Sequence, residues 1–148
     1  MDVLKEFLNY AAAFEMTYKD DNWDRLHQFF HDDAAYEIES PNIPCSLIGP
    51  SAIFAGMKKS LDGFDRRFDT REIGLEDDLK VDENSMSVSW AVTYTKSDLP
   101  PFILKGKSIA TLSDNKIKKL IDVFTAESEK ELSDWVSETG YNVDPSYV

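Results

Sequence analysis

Apolar residues recur at helical spacing over residues 2–19, where Leu4, Phe7, Leu8, Ala11, Phe14 and Tyr18 gather on one side. The run Ala11-Ala12-Ala13 favours helix further, because alanine loses no side-chain entropy there. A second, shorter helix follows, with Asp20 or Asp21 placed to cap it and Trp23, Leu26, Phe29 and Phe30 on its buried side. Phe29-Phe30-His31-Asp32-Asp33-Ala34 then turns the corner into a strand over 34–39, and 40–47 reads as an irregular loop. Gly49-Pro50 opens a third helix, since proline's missing N–H costs nothing in a first turn. Ile53, Phe54, Met57 and Leu61 form its apolar stripe, and Gly63 is its stop.

Beyond Gly63 the period shortens to that of a strand. Extended segments are predicted over 66–75, 85–96, 102–112 and 116–125. Met86, Val88, Trp90, Val92 and Tyr94 share one face, and Ser87, Ser89, Ala91, Thr93 and Thr95 the other. Ser113-Asp114-Asn115-Lys116 is a tight hairpin turn, and 97–101, closing on two prolines, a looser one. Gly106, Ser108 and Ala110 also share a face; turned inward, three small residues leave room for a cavity. A last helix over 127–138 buries Leu132, Trp135 and Val136 and stops at Gly140, while the final eight residues carry little pattern and read as loose. The expected fold is α+β, a cone-shaped barrel with three N-terminal helices packed in a strongly curved, mainly antiparallel sheet, plus a C-terminal helix. One domain spans 1–148, with 126–148 a C-terminal helical extension.

Composition narrows the partners. A chain of 148 residues, 42% hydrophobic, can bury a real core. Its net charge of −12 repels a nucleic-acid backbone, so no nucleic acid is expected. No apolar stretch approaches the length of a membrane span, so no membrane is expected either. The N-terminus lacks a basic-then-apolar leader pattern, and the single cysteine, Cys45, excludes an internal disulfide framework. A cytoplasmic location is the expectation.

Two stretches carry a family resemblance: Phe30-His31-Asp32-Asp33-Ala34 before the first strand, and Leu47-Ile48-Gly49-Pro50-Ser51-Ala52-Ile53 at the third helix. With the hairpins behind them they resemble the nuclear-transport-factor-2-like superfamily, SnoaL-like branch, over about residues 4–125. The resemblance implies a sheet wrapped around a long helix, a pocket at the open end and a homodimer through the convex sheet face. Ile103, Ile109 and Thr111 make that face apolar. The superfamily spans ketosteroid isomerase, scytalone dehydratase, limonene epoxide hydrolase, polyketide cyclases and non-enzymatic transport factors, so the inward side chains decide the chemistry. The isomerase's base aspartate corresponds here to Ile38, and its dienolate-binding tyrosine to Phe14. The epoxide hydrolase's tyrosine and last-strand aspartate correspond to Tyr36 and Asp122, but Ile38 replaces its asparagine and Trp90 and Val92 its Arg-x-Asp pair. Neither mechanism carries over.

Asp122 is the leading candidate for chemistry. Between Leu120 and Phe124 on one strand face, it becomes a desolvated general base if that face is inward, or a solvated or arginine-paired rim carboxylate if not. Tyr36 and Tyr94 are candidate donors to a ligand carbonyl, or core packing. Phe14, Tyr18, Trp23, Ile38, Phe54, Met57, Trp90, Val92 and Phe124 are the expected pocket wall. Arg67, Asp69 and Arg71 alternate onto one strand face, as a salt-bridge lattice or with Arg71 reaching Asp122 or an anionic substrate group. His27 and His31 lack a third ligand, so no metal is expected; His31 reads as a helix-end charge partner beside Asp32. Two functions fit. One is cofactor-free proton transfer, of isomerase, cyclase or dehydratase type, on a small apolar or carbonyl-bearing molecule, with Asp122 as base. The other is a non-catalytic ligand-binding or protein-interaction module.

Overall fold

Asp2 starts the first helix: its side chain accepts from the Lys5 N–H at 3.0 Å, and α1 runs Val3–Asp20. Asp21 ends it in the left-handed region at φ 60°, returning its N–H to the Thr17 carbonyl. Val3, Phe7, Tyr10, Ala13 and Thr17 form its buried stripe. The computed structural model describes residues 1–148. The second helix is a 3-10 segment, Trp23–Phe29, with Asn22 before it and no side-chain cap. Asp20 and Asp21 do not cap it as expected, because both are spent at the end of α1, holding the Asn22 N–H and the Trp23 indole N–H.

The first strand, β1, is longer than its alternation suggested, Phe30–Glu39, and a register irregularity between Phe30 and Ala35 absorbs the acidic corner. Within the expected loop, Cys45–Ile48 forms a short antiparallel strand, β2, against β1. Gly49 at φ 86° and Pro50 then open α2, Pro50–Gly63, as predicted. A 3-10 turn at Asp65–Arg67 displaces the start of β3 to Thr70–Leu75, so Arg67, Asp69 and Arg71 do not share a strand face. Arg67 lies over the Tyr141 ring, Asp69 holds Ser97 and Lys96, and Arg71 turns inward. His31, inside β1 rather than at a helix end, meets the Ser113 carbonyl.

The remaining strands are β4 (Lys80–Val81), β5 (Ser85–Thr95), β6 (Phe102–Ser113) and β7 (Lys116–Val123). The sheet order is β2-β1-β7-β6-β5-β3, with β4 beside β5, and only β1–β7 is parallel. Asp114 and Asn115, at φ 51° and 64°, make the tight β6–β7 turn that the sequence indicated. Met86, Val88, Val92 and Tyr94 are buried on the concave side, which fixes the predicted parity of β5. α3 (Ala126–Thr139) starts on a Thr125 cap and ends at Gly140, φ 70°; Trp135 packs against Phe68 and Phe102.

Residues 141–148, expected to be loose, are instead packed: Tyr141 lies against Phe68 and Trp135, and 144–148 run along α2. Ser60 donates to the Pro145 carbonyl, Lys59 to Ser146 Oγ and the Val148 carbonyl. Gly63 makes room, since a Cβ there would stand 2.3 Å from the Asp144 carbonyl oxygen. The fold is thus an α+β cone of seven strands around α1 and α2, with two apolar clusters. One gathers Tyr10, Tyr36, Met57 and Leu120; the other Phe64, Phe68, Tyr94 and Trp135.

Candidate functional site

Between the two clusters the cone keeps a cavity of about 190 Å³, lined mainly by hydrophobic side chains. Its mouth lies between α1 and β3. Ile73 and Leu75 pair with Val92 and Trp90 across the sheet and so belong to the concave face, yet they are 46% and 57% exposed. No helix covers them, and the wall there is open.

Asp122 points into this cavity from β7. Tyr36 donates to its Oδ2 at 2.5 Å and Ser108 to its Oδ1 at 2.6 Å. Ser108 Oγ in turn accepts from the Trp90 indole N–H at 2.9 Å. The sheet builds this chain directly, because Ser108 faces Asp122 across β6–β7 and Gly106 faces Trp90 across β5–β6. A Cβ at Gly106 would stand 2.5 Å from the Trp90 ring, so the room left by the small residues is occupied by that indole. Burial raises the Asp122 pKa above the ordinary carboxylate value; the hydrogen bonds from Ser108 and Tyr36 act against it without cancelling it.

Tyr147, in the tail, was not legible as a site residue. Its ring packs edge-on against Tyr36 with centroids 5.6 Å apart, and it lines the cavity. Burial raises its pKa, and its hydroxyl senses both Asp122 and Asp65 and lies near those of Tyr36 and Ser60. The available signal was a pair of glycines, Gly56 and Gly63, seven apart on one helix and so on nearly one side. The tail backbone passes over both, with the Tyr147 carbonyl 3.1 Å from where a Gly56 Cβ would be.

The remaining candidates divide. Phe14, Tyr36, Met57, Arg71, Trp90, Val92, Tyr94, Asp122 and Phe124 line the cavity; Tyr18, Trp23, Ile38 and Phe54 do not. Phe54 and Trp23 pack together and against Phe30 and Phe14, respectively, nearer the N-terminal end of α2. Ile38 is sealed in the larger core cluster, and Tyr18 lies under the Arg66 and Arg71 guanidinium groups. Tyr94 is committed: its hydroxyl donates to Asp65 Oδ2 at 2.8 Å. Arg71 does not reach Asp122. Its Nε meets Asp65 Oδ2 at 2.8 Å and its Nη1 meets Glu15 Oε1, so it is not free for an anionic substrate group. Burial alone would lower the Arg71 pKa, but Asp65, Tyr94 and Glu15 more than reverse that, and the cation is secure.

No protein-family model matches the chain, and no curated protein matches it by sequence. Solved structures do. An NTF2-like protein of unknown function from Burkholderia pseudomallei superposes with a TM-score of 0.60 at 7% identity, covering 80% of this chain and 90% of that one. The chain has the nuclear-transport-factor-2-like fold. A hypothetical protein with a ketosteroid isomerase-like fold from Catenulispora acidiphila, in complex with trimethylamine, gives 0.58 at 13% identity, covering 80% and 87%. TerC, co-crystallised with polyporic acid, gives 0.62 at 14% identity, covering 87% and 98%. At these identities the likeness is one of nuclear-transport-factor-2-like architecture, and function rests on the side chains of this chain's own cavity.

Proposed function

We propose that this protein binds a small, mostly apolar, carbonyl-bearing molecule in its cone and exchanges a proton with it at Asp122, without a cofactor. The observation that carries this reading is a cavity-facing carboxylate with a raised pKa, held at both oxygens by Tyr36 and Ser108. A carboxylate whose pKa is raised and whose direction is fixed is suited to the proton abstraction of enolisation. The C–H bond beside the carbonyl breaks, its proton goes to Asp122, and the electron pair moves onto the carbonyl oxygen. Tyr36 and Tyr94 are already donating to carboxylates, so Tyr10 and Tyr147 are the tyrosine hydroxyls left to face that oxygen. Return of the proton at the same or another carbon completes exchange or isomerisation. Fold neighbours determined with trimethylamine and with polyporic acid support small-molecule binding in this architecture. A homodimer through the convex face, where Ile103 is 47% exposed, and a reducing, cytoplasmic setting belong to the same proposal.

The second reading, non-catalytic binding, draws on Ile38, which stands where the resemblance places the isomerase base. One experiment separates the two. Deuterium uptake from D₂O into a bicyclic ketone such as tetralone is followed by NMR with wild type and Asp122→Asn, with ligand retention checked by native mass spectrometry. Proton transfer predicts a rate lower by about a hundredfold in the variant, with binding kept. Equal rates sink the base assignment; retained binding with no exchange in wild type supports the second reading.

A further inference from the structure

We propose that the cavity selects a cationic ligand, an apolar body carrying a protonated amine, and seats the ammonium between Glu15 and Asp65 at the α1–β3 mouth. This rests on the cavity being a ligand site, as argued above, and adds the charge of what it takes.

The carboxyl side chains lining the cavity are Glu15, Asp65, Asp122 and Glu129 against a single cation, Arg71. No lysine or histidine faces it. Arg66, whose guanidinium lies over the Tyr18 ring, does not line the cavity and is paired with both Asp21 and Asp62. At the mouth one guanidinium therefore stands against two carboxylates. Arg71 and Tyr94 engage only Oδ2 of Asp65, and Arg71 engages only Oε1 of Glu15. One oxygen of each carboxylate is left without a side-chain donor.

The surroundings make that surplus count. Arg71 and Asp65 are almost wholly buried, and Glu15 is partly open towards the mouth. A cleft with a surplus of one sign between low-dielectric walls concentrates its field on whatever enters. Those walls are aromatic and apolar: Phe14, Phe64 and Tyr94 near the ion cluster, with Ile73 and Leu75 uncovered at the rim. Aromatic faces favour an organic cation over a neutral molecule of the same shape. An anion meets the opposite. The one guanidinium that could greet it already has two partners, and displacing either would leave a buried carboxylate unpaired.

Isothermal titration at neutral pH with naphthylmethylamine, naphthylmethanol and naphthoate tests this with one ring and three charges. The amine should bind about tenfold or more tighter than the alcohol, and naphthoate more weakly than either. Glu15→Gln should cut the amine's advantage several-fold while leaving the alcohol unchanged. Glu138→Gln, which removes the same charge from an exposed position on α3, should leave the advantage intact. Equal binding of amine and alcohol, tighter binding of naphthoate, or an equal effect of the two substitutions overturns the proposal while the cavity reading stands. If neither alcohol nor amine binds, the cavity reading fails and this proposal falls with it.

Discussion

Replacing Tyr36 by phenylalanine removes one hydroxyl and keeps the ring, so its cost isolates the hydrogen bond to Asp122. Tyr36 is 1% exposed and donates at 2.5 Å. A hydrogen bond to an ionised partner contributes about 1.5–3 kcal/mol, and one between neutral groups about 0.5–1.5 kcal/mol. Which figure applies depends on the protonation of Asp122, and hence on pH. Its folded pKa is raised by burial, while the unfolded value is about 3.9. Below the unfolded value both states hold the proton, and the group costs the fold nothing. As pH rises from there to the raised folded value, the unfolded chain ionises first and stability falls; above it the penalty is complete. Tyr36 lowers the Asp122 pKa, so its loss pushes the folded value higher and extends the decline to higher pH. The difference between wild type and Tyr36→Phe should therefore be small in acid and larger by about 1 kcal/mol once the pH exceeds both folded values. Urea denaturation at stepped pH measures it; in thermal unfolding, 1 kcal/mol corresponds to about 2–4 °C for a chain of this size. In an Asp122→Asn background the pH dependence of that difference should vanish. A cost for Tyr36→Phe that is the same at every pH would refute an ionising Asp122 behind this bond.

Three further perturbations probe the walls. Gly106→Ala puts a Cβ 2.5 Å from the Trp90 ring, which is tied to Ser108, and should destabilise by about 1–3 kcal/mol in thermal unfolding; an unchanged midpoint would mean that the indole moves freely. Gly63→Ala meets the Asp144 carbonyl at 2.3 Å and should lift the tail from α2, read as faster amide exchange over 144–148 with the sheet unaffected; unchanged protection would show that the tail is seated elsewhere. Arg71→Met leaves Asp65 and Glu15 uncompensated and should cost about 3 kcal/mol in urea denaturation, reduced when Asp65→Asn is added; additive costs would show that the two do not act as a pair.

What the sequence made legible is what local pattern encodes. The parity of β5, the Gly49-Pro50 entry to α2, the Asp114-Asn115 turn and the Gly140 stop each depend on a few neighbouring residues, and each is found in the structure. Asp122 was legible for the same reason, since Leu120 and Phe124 flank it at strand spacing and the face proves to be the concave one. The misses are long-range. Tyr147 reaches the cavity because its tail packs on Ser60 and the α2 glycines, some 80 or more residues earlier, and no period in the tail announces it. Arg71 is salt-bridged, as one reading had it, but to Asp65 and Glu15 rather than to its strand-face neighbours, and Glu15 lies 56 positions away on α1. Ile38 and Phe54 carry apolar faces that a pattern cannot divide between core and cavity; only packing does that, and it placed both in the core.

The position of Ile38 bears on how the missing isomerase-type base should be weighed. Strands β1 and β7 are parallel neighbours, and their register pairs Ile38 with Asp122. Adjacent strands lie about 4.8 Å apart, so the carboxylate that the resemblance puts on the first strand is found here one strand over, on the same wall at the same level. A lateral move of that size retains a base on that wall and changes the direction from which a proton would be taken. It also changes the company of the base. On β7 the carboxylate gains Ser108 from β6, which Trp90 orients from β5, and it keeps Tyr36 from β1. Three strands thus converge on one carboxyl group that the apolar cavity leaves short of water. Isoleucine at position 38 is therefore weak evidence against catalysis; the exchange rate of the Asp122→Asn variant is the measurement that decides it.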